Sequence, residues 1–292
     1  MRTKTFAIFL LVPALILSAC GRLNDDNGSG GGSSSGIDHP TGANDLVLRV
    51  ATGGGFVPME FNLRALPGIS LYGDGRLIVE GPVIEIYPGP AMPNLQVSRL
   101  TEEAVQAILR EAEKAGLLGE NASYDYPCVA DAPTTTFTVV SDGQTHTLSA
   151  YALGFEEGTT GSCGGAAVDV EARAKLLELS RKLGDLRSWL PEGSISAEEQ
   201  YAPTEMRVYV RPYQGDPELE QQPADWPLEG PLSSFGKPDG NLDETRCGVV
   251  AGGDIETLLP DAYAANELTP WASDGQHFGL IFRPLLPDEH TC

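Results

Sequence analysis

The chain has 292 residues, 41% of them apolar, which is enough to fill a hydrophobic core and excludes wholesale disorder. It has 19 basic and 41 acidic residues, a formal charge of −22. A surface this acidic repels the phosphates of nucleic acids, so we expect no nucleic-acid partner. The charge is compatible with a cationic partner, with divalent ions, or with a surface that is acidic only for solubility.

Residues 1–19 combine the parts of an export signal. Arg2 and Lys4 supply a positive charge, and an uncharged apolar run of 12 residues, Phe6 to Leu17, follows them. Such a run is too short to span the hydrocarbon of a bilayer, which takes about 20 residues. The pattern therefore predicts a cleaved signal peptide, whose removal leaves 17 basic and 41 acidic residues and a formal charge of −24.

The signal ends in Leu-Ser-Ala-Cys at residues 17–20. This ending resembles the lipobox of bacterial lipoproteins, which has an aliphatic residue, two small residues and a modified Cys. The resemblance implies that Cys20 receives a diacylglyceryl group and becomes the first residue. Acyl chains such as palmitate would then hold the protein on the extracytoplasmic face of a bacterial membrane, and two such chains anchor a protein stably. The alternative is an ordinary secretory signal that happens to end in Cys.

A Gly/Ser-rich linker follows, and we assign residues 20–44 to the lipidated Cys and this linker. Gly/Ser stretches behave as flexible coil, and about 20 residues of such coil span roughly 25 Å on average. Beyond the linker we predict an α+β domain over residues 45–190 and a smaller α+β half or domain over residues 204–292. The acidic, Pro-bounded segment 191–203 is the predicted boundary between them.

Strands, a hairpin and a helix are predicted in the first part of the first domain. Apolar alternation predicts strands at Leu46–Ala51 and Val83–Tyr87, and a hairpin over Gly68–Glu80. A helix is predicted to begin after Thr101, which can cap its first turn, and to end at Gly116. Its apolar residues recur at intervals of three and four, as on one face of a helix.

The remaining elements follow the same rules. Asp-Gly between β-branched runs predicts a hairpin over residues 134–151, and an apolar stripe predicts a helix over Val168–Leu183. Further strands are expected at Met206–Arg211 and His277–Arg283. The segment Gly253–Leu268 is helix-like, but Pro260 predicts a late start or a kink.

These elements predict an α+β fold in which antiparallel, hairpin-rich sheets are packed by two or three helices. The sequence Ser-Asp-Gly-Gln occurs at residues 141–144 and again at 273–276, each time before a predicted strand. It leaves two alternatives open: two related halves, or one favourable turn sequence used twice.

Four cysteines remain once Cys20 is set aside, an even number that predicts disulfides in an exported protein. Of the three pairings that four cysteines allow, we favour Cys128–Cys163 and Cys247–Cys292. A zinc site is a poor alternative, because the four are far apart and no Cys-x₂-Cys spacing occurs. A catalytic thiol at Cys163, in a Gly-rich turn, is the remaining alternative.

The sequence holds no recognisable catalytic or cofactor motif, so we predict no catalytic residue, metal or cofactor. Of the four histidines, His39 lies in the predicted linker and His290 near the end of the chain. His146 and His277 follow the two Ser-Asp-Gly-Gln turns, and no nucleophile motif accompanies either.

The leading functional hypothesis is a membrane-tethered module without catalytic activity that binds an envelope protein or polymer. One alternative is an envelope hydrolase that acts on glycan or peptide with paired carboxylates or one of the histidines. Another is the solute-binding lipoprotein of a transporter, a class that resembles two lobes of alternating strand and helix. The predicted hairpins fit that class poorly.

Overall fold

The computed structural model describes residues 36–155, the backbone of residues 162–163, and residues 165–292. Gly36–Cys292 form one compact unit. The predicted signal peptide, Cys20 and the linker before Gly36 lie outside the described residues. In the part of the chain that is described, no helix is both long and apolar enough to cross a membrane.

The elements number sixteen strands and four α-helices in the described ranges. The strands are β1 (Leu46–Gly53), β2 (Ile69–Tyr72), β3 (Arg76–Glu80), β4 (Leu95–Arg99), β5 (Ala122–Tyr124), β6 (Thr134–Ser141), β7 (Gln144–Tyr151), β8 (Ser162–Cys163), β9 (Ala166–Ala167), β10 (Glu199–Gln200), β11 (Glu205–Pro212), β12 (Ala224–Asp225), β13 (Lys237–Pro238), β14 (Arg246–Ala251), β15 (Pro270–Ser273) and β16 (Gln276–Pro284). The helices are α1 (Met59–Arg64), α2 (Glu102–Lys114), α3 (Val170–Gly184) and α4 (Gly253–Ala264).

Two mixed sheets organise the unit and confirm the α+β prediction. The larger sheet has eight strands in the order β10-β4-β3-β2-β1-β6-β7-β5, and only β5 and β7 pair in parallel. The smaller sheet has six strands in the order β12-β15-β16-β11-β14-β13, and only β12 and β15 pair in parallel. Every other neighbouring pair is antiparallel, as expected for a hairpin-rich fold. A separate ribbon joins β8 and β9.

The Asp-Gly turns form the predicted hairpins between β6 and β7 and between β15 and β16. Asp142 and Gly143 have φ of 49° and 68°, and Asp274 and Gly275 have φ of 50° and 75°. Positive φ at both central residues is the requirement of a type I′ turn, whose twist matches that of the flanking strands. Both copies of Ser-Asp-Gly-Gln therefore serve as two-residue hairpin turns.

Helix α2 begins and ends as its sequence predicts. The Thr101 hydroxyl accepts a hydrogen bond from the Ala104 amide at 3.4 Å, which satisfies one of the free N–H groups of the first turn. At the other end Gly116 has φ of 87°, and the Leu117 amide donates to the Ala112 carbonyl at 2.9 Å. This is the Schellman arrangement, which favours Gly because a left-handed residue closes the helix.

Each sheet buries its own apolar core. Ile108 of α2 and Leu176 of α3 are buried with Phe137 and Leu148 of the larger sheet, so the two helices cover one face of that sheet. In the smaller sheet, α4 packs on a core centred on Trp271, which is 1% exposed.

Pro260 does not delay helix α4. The helix is continuous from Gly253 to Ala264 with Pro260 inside it, so the predicted late start is wrong. The buried residues Ile255, Leu258 and Ala262 explain the continuity, because they lie on both sides of the proline and pack on the same core. Burial of that face offsets the hydrogen bond that a proline removes.

The chain before β1 is attached to α2. The Ile37 amide donates to Gln106 Oε1 at 2.8 Å, and His39 Nε2 lies 3.1 Å from Glu102 Oε1. The His39 side chain is only 5% exposed. The folded unit therefore includes residues 36–44.

The C-terminal segment 285–292 joins the two sheets. Asp288 accepts hydrogen bonds from Arg49 and Tyr72 of the larger sheet, both at 2.7 Å. Glu289 forms a bidentate pair with Arg283 of the smaller sheet at 2.7 and 2.9 Å. Burial raises the pKa of Asp288, but the hydrogen bonds from Arg49 and Tyr72 outweigh it, so the pKa lies below its usual value.

The predicted disulfide between Cys247 and Cys292 is confirmed, and it fixes the last residue of the chain to β14. Cys128 is also disulfide-bonded. The side chain of Cys163, its predicted partner, lies outside the described side chains.

Candidate functional site

Two long insertions in the larger sheet reach across to the smaller sheet. The first insertion, residues 54–68, joins β1 to β2 and contains α1, and the second insertion, residues 81–94, joins β3 to β4. Arg283 of β16 donates to the Ala65 carbonyl at 2.9 Å, and the Ala91 amide donates to the Ala265 carbonyl at 3.1 Å. Both insertions are thus fixed to the smaller sheet and its connections.

Most of the exposed apolar surface lies on these insertions. Of ten large apolar side chains that are exposed in the described part of the chain, eight belong to them. They are Phe56, Val57, Met59 and Phe61 of the first insertion and Val83, Ile84, Ile86 and Tyr87 of the second. No residue of α1 is buried, which is unusual for a helix with this apolar content.

The predicted strand at Val83–Tyr87 is wrong, because residues 81–86 have no regular secondary structure. Their alternating apolar pattern is typical of a strand, but the two strands that flank them in the chain are already paired. β3 pairs directly with β4, and the other edges of these two strands are occupied by β2 and β10. The run is left at the surface between Pro82 and Pro88, with its apolar side chains exposed.

A cavity of about 460 Å³ lies between the two insertions, and we call it the groove. Phe61 forms part of one wall and Ile84 and Ile86 part of the other, while Met92 and Phe282, both nearly fully buried, contribute to the lining from the core. The volume is in the range of ligand-binding clefts, and the lining is mainly apolar.

An ion pair connects the two walls of the groove. Arg64 of α1 contacts Glu267 at 3.0 Å between Nη1 and Oε2, and the second oxygen of Glu267 accepts from the Gly89 amide at 3.2 Å. Glu60 at the other end of α1 pairs with Arg211 of β11. Glu267 thus links Arg64 of one wall to Gly89 of the other, and Glu60 holds α1 on β11.

Two carboxylates at the groove have no such partner. Glu80, the last residue of β3, lines the groove, and Glu85 lies among the apolar residues of the second insertion. Among the described residues, neither forms a side-chain hydrogen bond or ion pair. Glu80 is exposed at the surface, but the surrounding protein removes part of its water and raises the pKa of its carboxyl group.

The two histidines considered as catalytic candidates, His146 and His277, lie beside a backbone carbonyl and an aromatic ring. His146 Nδ1 lies 2.9 Å from the Gly119 carbonyl, and the His277 ring packs edge-on against Tyr213 with centroids 6.3 Å apart. His290 lies beside Glu205 at 3.3 Å. Within the described residues none of them forms a hydrogen bond with a hydroxyl or thiol group, and no cluster of three His, Cys, Asp or Glu could hold a metal ion.

The groove residues were missed by the sequence prediction, although a signal was present. Two short apolar runs, Phe-Val-Pro-Met-Glu-Phe at residues 56–61 and Val-Ile-Glu-Ile-Tyr at 83–87, contain or adjoin prolines that disfavour sheet pairing. Of the site residues predicted from the sequence, the described disulfides lie elsewhere in the fold and Cys20 lies outside the described residues. In comparisons with known proteins, no family model matches the chain, and no curated protein or solved structure matches it significantly.

Proposed function

We propose that the protein is a bacterial lipoprotein, anchored through Cys20 to the extracytoplasmic face of a membrane, whose folded unit is a non-catalytic binding module. Its groove would hold an apolar segment of another envelope protein. The observation that carries this proposal is the concentration of eight of ten exposed large apolar side chains on the two insertions that border one cavity. Apolar surface collected in this way is typical of interaction sites, because it costs solubility unless a partner covers it.

A protein segment fits this surface better than a small solute does. The apolar surface extends past the cavity, since Phe56 is 91% exposed and Tyr87 is 68% exposed. Neither residue lines the groove. A solute enclosed in the groove would leave both in water, whereas a peptide that lies along the insertions would cover them as well.

Insertion of the same side chains into a lipid surface is less favourable. Glu85 lies inside the apolar run of the second insertion, and Glu80 lines the groove. The processed chain would carry a formal charge of −24. Carboxylates at this position and a net charge of this sign oppose approach to anionic headgroups.

The lipid and linker would give the module its location. Lipid on Cys20 holds the chain at the membrane, and the Gly/Ser-rich residues up to Gly36 let the folded unit reach partners in the envelope. The mass of the N-terminal peptide from membrane-extracted protein tests the anchor. An N-terminus at any residue other than Cys20, or an unmodified Cys20, would contradict it.

Selection from a random dodecapeptide library tests the groove. We expect the soluble unit to enrich peptides rich in apolar residues. A variant with Phe61→Ser and Ile84→Ser should bind those peptides at least tenfold more weakly, while Phe155→Ser should leave binding unchanged. Phe155 is a matched control, since it is 52% exposed and lies outside the groove.

All three substitutions replace exposed side chains, so the melting temperature should change little. Failure to enrich any peptide, or equal binding by the groove variant and the control, would overturn the proposed site. Turnover of a cell-wall polymer by the purified unit would contradict the absence of catalysis.

A further inference from the structure

We infer that the segment bound in the groove carries a lysine or arginine beside its apolar side chains, and that this cation pairs with Glu80. The inference depends on the proposed function and makes it more specific, because it names the chemistry of the partner. It rests on the charges at the groove and on how they are paired.

Among the described residues, the groove has one unpaired carboxylate, and its basic group already forms an ion pair. Arg64, the basic residue that lines the groove, is bound to Glu267. Glu60 is likewise paired with Arg211, which belongs to β11 outside the lining. Glu80 is therefore the acidic group in the lining without a compensating charge among the described residues.

Covering Glu80 without a cation would be unfavourable. An apolar segment that fills the groove removes water from the carboxylate, and a buried carboxylate without a partner opposes binding strongly. A cation on the segment makes the contribution of Glu80 to binding favourable, because an ion pair is stronger in an environment with less water. The apolar lining then recognises the neighbouring side chains, and Glu80 determines the charge that accompanies them.

The rest of the surface favours the same partner. Glu85, on the second insertion, is exposed to solvent and is a second carboxylate without a partner in the part of the chain that the structure describes. The processed chain would carry a formal charge of −24, which attracts basic segments and repels acidic ones before contact is made. An acidic or neutral apolar segment would gain neither effect.

The test compares peptides selected from the random dodecapeptide library on the unmodified unit with those selected on Glu80→Gln. We expect lysine or arginine to be enriched next to apolar residues in the first set and to fall to the library average in the second. Glu120→Gln is the matched control, because Glu120 is exposed and lies outside the groove, and it should select the same basic peptides as the unmodified unit.

Affinities of one selected peptide complete the experiment. Replacing its lysine or arginine by norleucine should weaken binding about tenfold to the unmodified unit and leave binding to Glu80→Gln unchanged. Glu85→Gln should have a smaller effect, about two- to threefold, because Glu85 is exposed and, unlike Glu80, lies outside the groove lining.

The outcomes separate the inference from the proposed function. Apolar peptides selected without basic residues, and lost on Phe61→Ser with Ile84→Ser, would overturn the inference and leave the groove as a binding site. Selection of no peptide at all would overturn both. If norleucine in place of the basic residue weakens binding equally to Glu80→Gln and to the unmodified unit, the cation pairs with another acidic group. That result would overturn the role of Glu80.

Discussion

Replacing both Cys247 and Cys292 by Ser should lower the free energy of unfolding by about 4 kcal/mol. The disulfide closes a loop of 45 residues. In the chain-entropy model a loop of this size removes about 13 cal/mol/K from the unfolded chain, or about 4 kcal/mol at 25 °C. The segment that carries Cys292 is also held by the ion pairs of Asp288 and Glu289, so it should stay in place in the folded variant.

The assay is reversible unfolding by heat and by urea under oxidising conditions, which leave the disulfide of Cys128 intact. For a unit of this size, 4 kcal/mol corresponds to a fall in melting temperature of roughly 8–16 °C. The urea m-value should rise, because the unfolded chain becomes less compact. Thr291→Ala, beside the disulfide, is the control and should shift stability by less than about 0.5 kcal/mol.

Two results would refute this reasoning. A loss below about 1 kcal/mol would mean that the crosslink does not restrict the unfolded chain as the model assumes. A large loss with an unchanged m-value, together with faster amide exchange in residues 285–291, would place the effect in the folded state.

Three further substitutions test the packing. Arg173→Met should lower the free energy of unfolding in urea by about 3–5 kcal/mol. The fully buried guanidinium donates to the carbonyls of Tyr124, Tyr151 and Ala152, and these would lose their donor. An effect under about 1 kcal/mol would show that the three carbonyls do not depend on Arg173. Gly236→Ala should lower the free energy of unfolding by about 2–4 kcal/mol, because φ is +58° and a Cβ would overlap a β14 carbonyl. Gly240→Ala is the control, since a Cβ there meets open space and should change stability little. Equal losses in the two variants would contradict this reasoning. Asp288 has a lowered pKa in the folded state, so its stabilisation is present above the usual value of 3.8 and lost as pH falls through the folded value. In Asp288→Asn the melting temperature should therefore fall less steeply as the pH is lowered below about 4. If the dependence of the melting temperature on pH is the same as in the unmodified unit, Asp288 does not have this role.

Elements defined by near neighbours in the chain could be predicted from the sequence. The Asp142-Gly143 turn and the cap at Thr101 require only backbone geometry and groups within a few residues. The Cys247–Cys292 disulfide was predicted from the even number of cysteines and the expected export. It joins residues far apart in sequence, so that prediction was a preference among the three pairings that four cysteines allow.

The groove could not be predicted in the same way. The run Val83–Tyr87 has the alternation of a strand, and that pattern is the same whether or not a neighbouring strand is free to pair with it. The pairing of β3 with β4, and of their outer edges with β2 and β10, is a long-range property of the sheet. Val83–Tyr87 has the pattern of a strand but forms none and stays exposed. We expect such a mismatch between sequence pattern and structure where a surface serves binding.

The sequence by itself determined the features that arise from local chemistry. These are the hairpin turns, the caps of α2 and the acidic charge, whereas the signal peptide and the lipid on Cys20 stay predictions. The tertiary structure alone decided which apolar residues are buried and which are left outside, because burial depends on the partners that the whole sheet provides. It thereby brought Phe61, Ile84 and Glu80 to one groove, although up to 23 positions separate them in the chain.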